Sequence, residues 1–282
     1  VEGVSHILLI GDPDFLHRQP IVPSLVYGAY VLCSSNFVAV EHMSWYGPGK
    51  VERVAVPTKL TGAALGIAYG TTVEAATVVP WGYPEAHDTT INRTEIRQLL
   101  APHWDHRAPV VLAEAEYADS VCAALARTQH MNALLLGSED QRHATRIGMH
   151  NIDSSRVAFT TSRLAWDAAD IYLSLKPCTY WPWDVAYALS RHLVTATLKA
   201  HVYEVFSDQY NCTIGMSAYD AVMDGPLCYR ANSTDILLAL QTFLSDVPGH
   251  TTRTCLGAEA FAARTPEVFT RSLMKALFNA QP

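Results

Sequence analysis

The sequence predicts an α/β protein built on parallel sheets, and three observations predict it. Short apolar runs of strand length recur along the chain. From about residue 109 onward, segments of helical period separate them. Of the 282 residues, 49% are hydrophobic and 17% charged, enough apolar surface for a large buried core. Strands alternating with helices imply βαβ units, and therefore parallel sheets covered on both faces.

In the first hundred residues, His6-Ile-Leu-Leu-Ile10 reads as a strand ending in Gly11-Asp12-Pro13. Tyr30–Cys33, Val51–Val56 and Ala76–Val79 read as three more, with helices over 36–45 and 61–69. A polar connection from Glu85 to Arg107 follows, and the domain boundary falls within 82–108. This gives a short first domain, 1–85, and a second domain, 105–282.

The second domain is more regular. Pro109–Ala113 is a strand, 117–130 a helix, Asn132–Gly137 a strand closed by glycine, and 140–148 a polar helix. Arg156–Phe159, Asp170–Leu175 and His192–Thr197 are further strands, with a helical turn at Leu164–Ala169 and a helix at Trp183–Arg191. Asn232-Ser-Thr-Asp235 offers helix caps for Ile236–Leu244, which Pro248-Gly249 ends. Helices over 252–263 and 267–279 finish the chain, the last entered through Thr265-Pro266, where proline's missing N–H costs nothing.

Composition excludes several classes. A disordered tail, a collagen-like rod and a disulfide miniprotein need few apolar residues, periodic glycine or dense cysteine. A formal net charge of -7 does not suit a binder of the phosphate backbone, so nucleic acid is not expected as a partner. No apolar run is long enough to span a membrane. The six cysteines form no C-x-x-C pair and read as buried thiols. His103, His106, His143 and His150 lack metal-ligand spacing, so no metal site is expected. The G-x-S-x-G elbow, the P-loop and G-x-G-x-x-G are all absent. The chain opens Val1-Glu2-Gly3 without Met, which fits a removed leader or a piece of a longer protein.

The order of segments resembles the GT-B glycosyltransferases, especially the retaining, family-4-like group. Thr77-Val-Val-Pro80-Trp-Gly82 follows the course of that family's hinge between domains. Arg156-Val-Ala-Phe159 resembles its R-V-x-F strand, and Ala168-Ala-Asp170-Ile-Tyr-Leu-Ser174 its A-D-V-x-L-x-P-S strand. Val194–Thr197 resembles P-V-V-A-T, and Tyr203-Glu204-Val205 the P-E-V that follows. The resemblance covers about residues 50–280 and implies two Rossmann-like domains, the first shortened, with the last helix crossing back to the first domain.

The resemblance also implies a function: transfer of a sugar from a nucleotide-sugar donor to an acceptor the sequence does not name, with no cofactor and no essential metal. Glu204 would touch the donor sugar, Lys199 and His201 the diphosphate, and Asp12 the acceptor side. Ser138 and Asp184 complete the donor-binding set, and Tyr180-Trp181-Pro182-Trp183 offers rings at the cleft. Against this, Glu114, Glu116 and Asp119 stand where the family has Arg and Lys, and the glycines of its G-G-x-P-E loop are lost. The alternative is a catalytically inactive GT-B-like subunit that binds a partner, for instance a protein completing the short first domain.

Overall fold

The computed structural model describes residues 4–11, 24–31, 51–57, 62, 76–81, 92–138, 140–141, 150–175, 183–198, 211–214 and 232–279. Four short runs of β-branched, aromatic and aliphatic residues make the first sheet: β1 (His6–Gly11), β2 (Val26–Val31), β3 (Val51–Val56) and β4 (Thr77–Val78). They lie side by side in that order, all parallel. The second strand is earlier than the Tyr30–Cys33 that the sequence suggested. Gly28 in its middle reads as a break in an apolar run. In the fold it is a point of contact, because a Cβ there would stand 2.9 Å from the Cβ of Leu277. The helices expected over 36–45 and 61–69 lie outside the described residues, except for Gly62.

The second unit begins with α1 (Arg93–Leu100) and β5 (Val110–Glu114), followed by α2 (Ala118–Leu125) and β6 (Asn132–Leu136). Next come β7 (Val157–Thr160), α3 (Ala165–Ala168), β8 (Ile171–Ser174), α4 (Trp183–Ser190), β9 (Val194–Leu198) and β10 (Asn211–Ile214). Its sheet is wholly parallel, in the order β10-β9-β8-β5-β6-β7. This is the doubly wound Rossmann order, in which the winding reverses between β5 and β8. Side chains alternate across it. Val111, Ala113, Leu135 and Ile171 pack under α2 and the later helix residues Ile236, Leu240 and Phe243. Val110, Leu112, Leu134 and Tyr172 face α1, α3 and α4.

Further features differ from the sequence reading. The connection from Glu85 to Arg107 contains α1, whose helix period is masked because its buried face includes an arginine, Arg97, beside Ile96. Pro248-Gly249 starts a helix and does not merely end one. The chain runs through α5 (Ser233–Ser245), α6 (Val247–Ala262) and α7 (Pro266–Phe278). Asp246 caps α6 by accepting from the Gly249 N–H at 3.0 Å, and proline in a first turn forfeits no helical bond.

The final helix crosses to the first sheet, as the resemblance implies. Leu273 and Leu277 of α7 are buried against Tyr30, Ala55 and Val79. Its entrance is where the sequence placed it: Thr265 accepts from the Val268 N–H at 3.3 Å, and at the other end Asn279 closes the helix at φ 51°. Trp81, just after β4, packs against both this cluster and the α1–α3–α4 side of the second sheet. One side chain thus joins the two units.

Candidate functional site

In a doubly wound sheet, ligands bind outside the carboxyl ends of the strands, where the winding reverses. Here those ends are Glu114 of β5 and Ser174 of β8. After β5 a tight turn, Ala115–Tyr117, feeds α2. Gly137 directly follows the neighbouring strand β6, and a Cβ there would lie 2.3 Å from that of Ala115. Glycine therefore lets the turns that leave two adjacent strands approach each other.

Ser138 follows at once. Its N–H donates to Gln141 Oε1 at 2.8 Å, and the Gln141 N–H donates to Ser138 Oγ at 3.4 Å. This reciprocal pair is a capping box: each side chain satisfies a backbone donor that the helix start leaves open. The expected donor-binding serine is thus engaged as a helix cap on the rim of the crevice.

Asp184 sits in the first turn of α4, beside the end of β8. The hydroxyls of Tyr172 and Ser174 both donate to its Oδ2, each at 2.7 Å. Tyr172 is buried, and burial, reinforced by the Asp184 carboxylate, holds its phenol well above the usual range. It therefore remains a hydrogen-bond donor. The ring lies against Trp166, centroids 4.7 Å apart, and Trp166 meets Tyr187 edge-on at 5.0 Å. Sequence reading missed Tyr172 and Ser174. The signal was there: residues two apart in a strand share a face, and both are hydroxyl-bearing in an otherwise apolar run.

The acidic group is where the sequence suggested, after β5. Glu114 ends the strand half-buried, and Glu116 and Asp119 are exposed on the turn and the first turn of α2. His150 approaches Asp119 with Nε2 at 3.4 Å from Oδ1. Among the described residues, no cluster of three or more His, Cys, Asp or Glu is arranged to hold a metal ion. Among them too, no helix is long and apolar enough to cross a membrane.

The charged residues in two of the motifs behind the resemblance, Arg156 and Asp170, lie at the opposite, amino end of the sheet. Arg156 donates to the carbonyl of Met131 at 2.7 Å and to that of Thr128 at 3.1 Å. Burial lowers its pKa against the opposing pull of Asp153. Asp170 accepts from Arg97 at 2.5 Å, from Arg93 at 3.0 Å and from the Val110 N–H at 2.7 Å. Arg97 also donates to the carbonyls of Ala168 and His106. Asp170 with Arg93 and Arg97 ties α1, β5 and β8 together, Arg156 fastens the start of β7 to the turn before β6, and all lie away from the carboxyl ends. Asp12, Lys199, His201 and Glu204, with Tyr180, Trp181 and Pro182, lie outside the described residues. In sequence, Asp12 directly follows β1 and Lys199 directly follows β9.

Two parallel Rossmann-like sheets joined at Trp81, with a last helix returning to the first, make the GT-B fold. Solved structures agree over nearly the whole chain. A sucrose-phosphate synthase from Thermosynechococcus elongatus superposes with a TM-score of 0.65 at 16% identity, over 97% of this chain and 74% of its own. Anabaena HepE, solved with UDP and glucose, gives 0.63 at 14% identity, over 91% and 72%. A glycosyltransferase from Rickettsia africae ESF-5 gives 0.63 at 8% identity, over the same shares. At these identities the likeness is one of fold. No protein-family model and no curated protein matches the sequence.

Proposed function

We propose that this chain is a glycosyltransferase of the retaining, family-4-like kind, binding a nucleotide-sugar across the carboxyl ends of β5 and β8. The observation that carries the proposal is superposition over nine-tenths or more of the chain on glycosyltransferase structures, one of which holds UDP and glucose. In the reaction, the bond from the anomeric carbon to the diphosphate oxygen breaks, the oxygen of an acceptor hydroxyl forms the new bond, and the hydroxyl's proton passes to the leaving diphosphate. The leaving diphosphate needs cationic or N–H donors. Lys199 and His201 supply them in this reading, Glu204 orients the donor sugar, and Asp12 serves the acceptor side. Ser138 and Asp184 shape the donor side, Asp184 through the fixed orientation that Tyr172 and Ser174 give it.

The test is release of nucleoside diphosphate from UDP-glucose, UDP-N-acetylglucosamine, GDP-mannose and ADP-glucose. The expected result is turnover of one of them that Glu204→Ala abolishes. Absence of turnover with all four, together with absence of binding, counts against the proposal.

A second reading is favoured by one observation. Glu114 and Glu116 place carboxylates at the end of β5, and like charge disfavours a diphosphate there. An inactive GT-B subunit that binds a protein partner accommodates this directly. It predicts no nucleotide binding and a stable complex with another chain.

A further inference from the structure

Three of the seven asparagines open a triplet Asn-X-Thr in which X is not proline: Asn92-Arg93-Thr94, Asn211-Cys212-Thr213 and Asn232-Ser233-Thr234. At the Ser and Thr content of this chain, about one such triplet, with either hydroxyl residue, would arise by chance. The triplet is the acceptor for an N-linked oligosaccharide in a protein that enters a secretory lumen. A folded site that carries this bulky, solvated group needs an exposed asparagine whose amide nitrogen is directed outward and is not spent on a contact of the fold.

Asn232 meets these requirements. It is exposed, in extended backbone directly before α5, and Thr234 is exposed with it. Its Oδ1 accepts from the N–H groups of Thr234 and Asp235, both at 2.9 Å. The first bond closes an Asx turn over the triplet, and the second caps the helix. Because the carboxamide is planar, fixing its oxygen on the helix turns its nitrogen away from the helix. Asn92 caps α1 in the same way, accepting from the Thr94 N–H at 3.0 Å, but its Nδ2 donates to Glu95 Oε1 at 3.2 Å. Asn211 lies within β10, opposite Thr195 of β9. Of the three, Asn232 is therefore the acceptor that the fold leaves best placed.

We propose that Asn232 is an N-glycosylation site that receives an oligosaccharide from a lipid-linked diphosphate donor. In the transfer, the bond from the anomeric carbon to the lipid diphosphate oxygen breaks and Nδ2 forms the new bond to that carbon. One amide proton is lost, and the lipid diphosphate leaves. Oδ1 takes no part, so the Asx turn and the cap of α5 survive the modification. The glycan then stands on the surface at the start of α5 and removes no bond of the fold. At Asn92 the same change would compete with the bond to Glu95. The proposal does not depend on whether this chain itself transfers sugar.

Peptide mapping of the protein isolated from its own cells tests this. Peptide N-glycosidase in heavy-oxygen water converts each glycosylated asparagine to a labelled aspartate. The expected result is label at Asn232, with a fall in apparent mass on electrophoresis. Thr234→Ala leaves the Asn232 cap in place and should abolish the label at Asn232. Asn232→Asp keeps a capping oxygen and should remove the glycan while leaving helical circular dichroism unchanged. Recovery of Asn232 unmodified overturns the proposal, as does label confined to Asn92 or Asn211.

Discussion

The indole of Trp81 stacks on the ring of Phe269, centroids 5.1 Å apart and planes 25° from parallel. Tyr30 meets both rings at 5.4 Å, and its hydroxyl donates to the Val79 carbonyl at 2.8 Å. The end of the first sheet, the link to the second unit and the returning helix thus converge on three aromatic side chains. Because Trp81 also packs on the second unit, removing a ring from this cluster should weaken both units together. Phe269→Ala is expected to cost about 3 kcal/mol, with a single urea transition at lower midpoint and altered tryptophan emission.

Asp170 is a structural residue by this account. Asp170→Ala removes an acceptor for Arg97, Arg93 and the Val110 N–H, and it leaves the charge of Arg97, whose side chain is only 7% exposed, facing only the carbonyls of Ala168 and His106. Burial already lowers the Arg97 pKa, with Asp170 opposing that shift. Loss of about 3–5 kcal/mol is expected in urea unfolding, as for other broken buried pairs, with nucleotide affinity of the folded fraction unchanged.

At the crevice the order of effects is specific. Asp184→Ala leaves both the Tyr172 and Ser174 hydroxyls without their acceptor, whereas Tyr172→Phe removes one donor and leaves the other bond in place. Tyr172→Phe should cost about 1 kcal/mol and Asp184→Ala roughly two to three times that. Equal costs in parallel unfolding curves would show that the shared oxygen does not hold both groups.

His250 gives a pH dependence with a definite sign. Its Nε2–H donates to the Thr242 carbonyl at 3.1 Å and its Nδ1 accepts from Arg253 at 2.9 Å, which requires the neutral ring. Burial, then Arg253, lowers its pKa, against weaker opposing pulls from the Thr242 bond and Asp246. The unfolded chain therefore binds the proton first, at its ordinary value near about 6.5. This contribution to stability is present above that pH and is lost as the pH falls below it. Wild type should show a drop in urea midpoint between neutral and mildly acidic pH that His250→Gln diminishes.

Much of the second unit was legible because its strands are apolar on both faces and its helices keep their period. The expected strand at Asp170–Leu175 is β8, and the caps at Asn232 and Thr265 are those of α5 and α7. What was misread involved residues whose local preference yields to packing. Gly28 breaks a pattern because a helix touches the strand there. Pro248-Gly249 looks like a stop until Asp246 captures the glycine N–H. His192 looks like the first residue of a strand, but it adopts φ 56° in a turn, and β9 starts at Val194. At the site, the resemblance singled out Ser138, after a strand closed by glycine, and Asp184, at the start of a helix. It did not disclose that one caps a helix and the other is held by two hydroxyls. Arg156 and Asp170 stood out for a different reason: they fasten the amino end of the sheet, a task of the fold and not of the crevice.

The central claim is that the carboxyl ends of β5 and β8 bind a nucleotide-sugar. Calorimetric titration of the full chain with UDP, GDP and ADP tests it most directly. The account predicts micromolar binding of one of them, abolished by Lys199→Ala combined with Glu204→Ala. No binding of any of the three at millimolar concentration would contradict it.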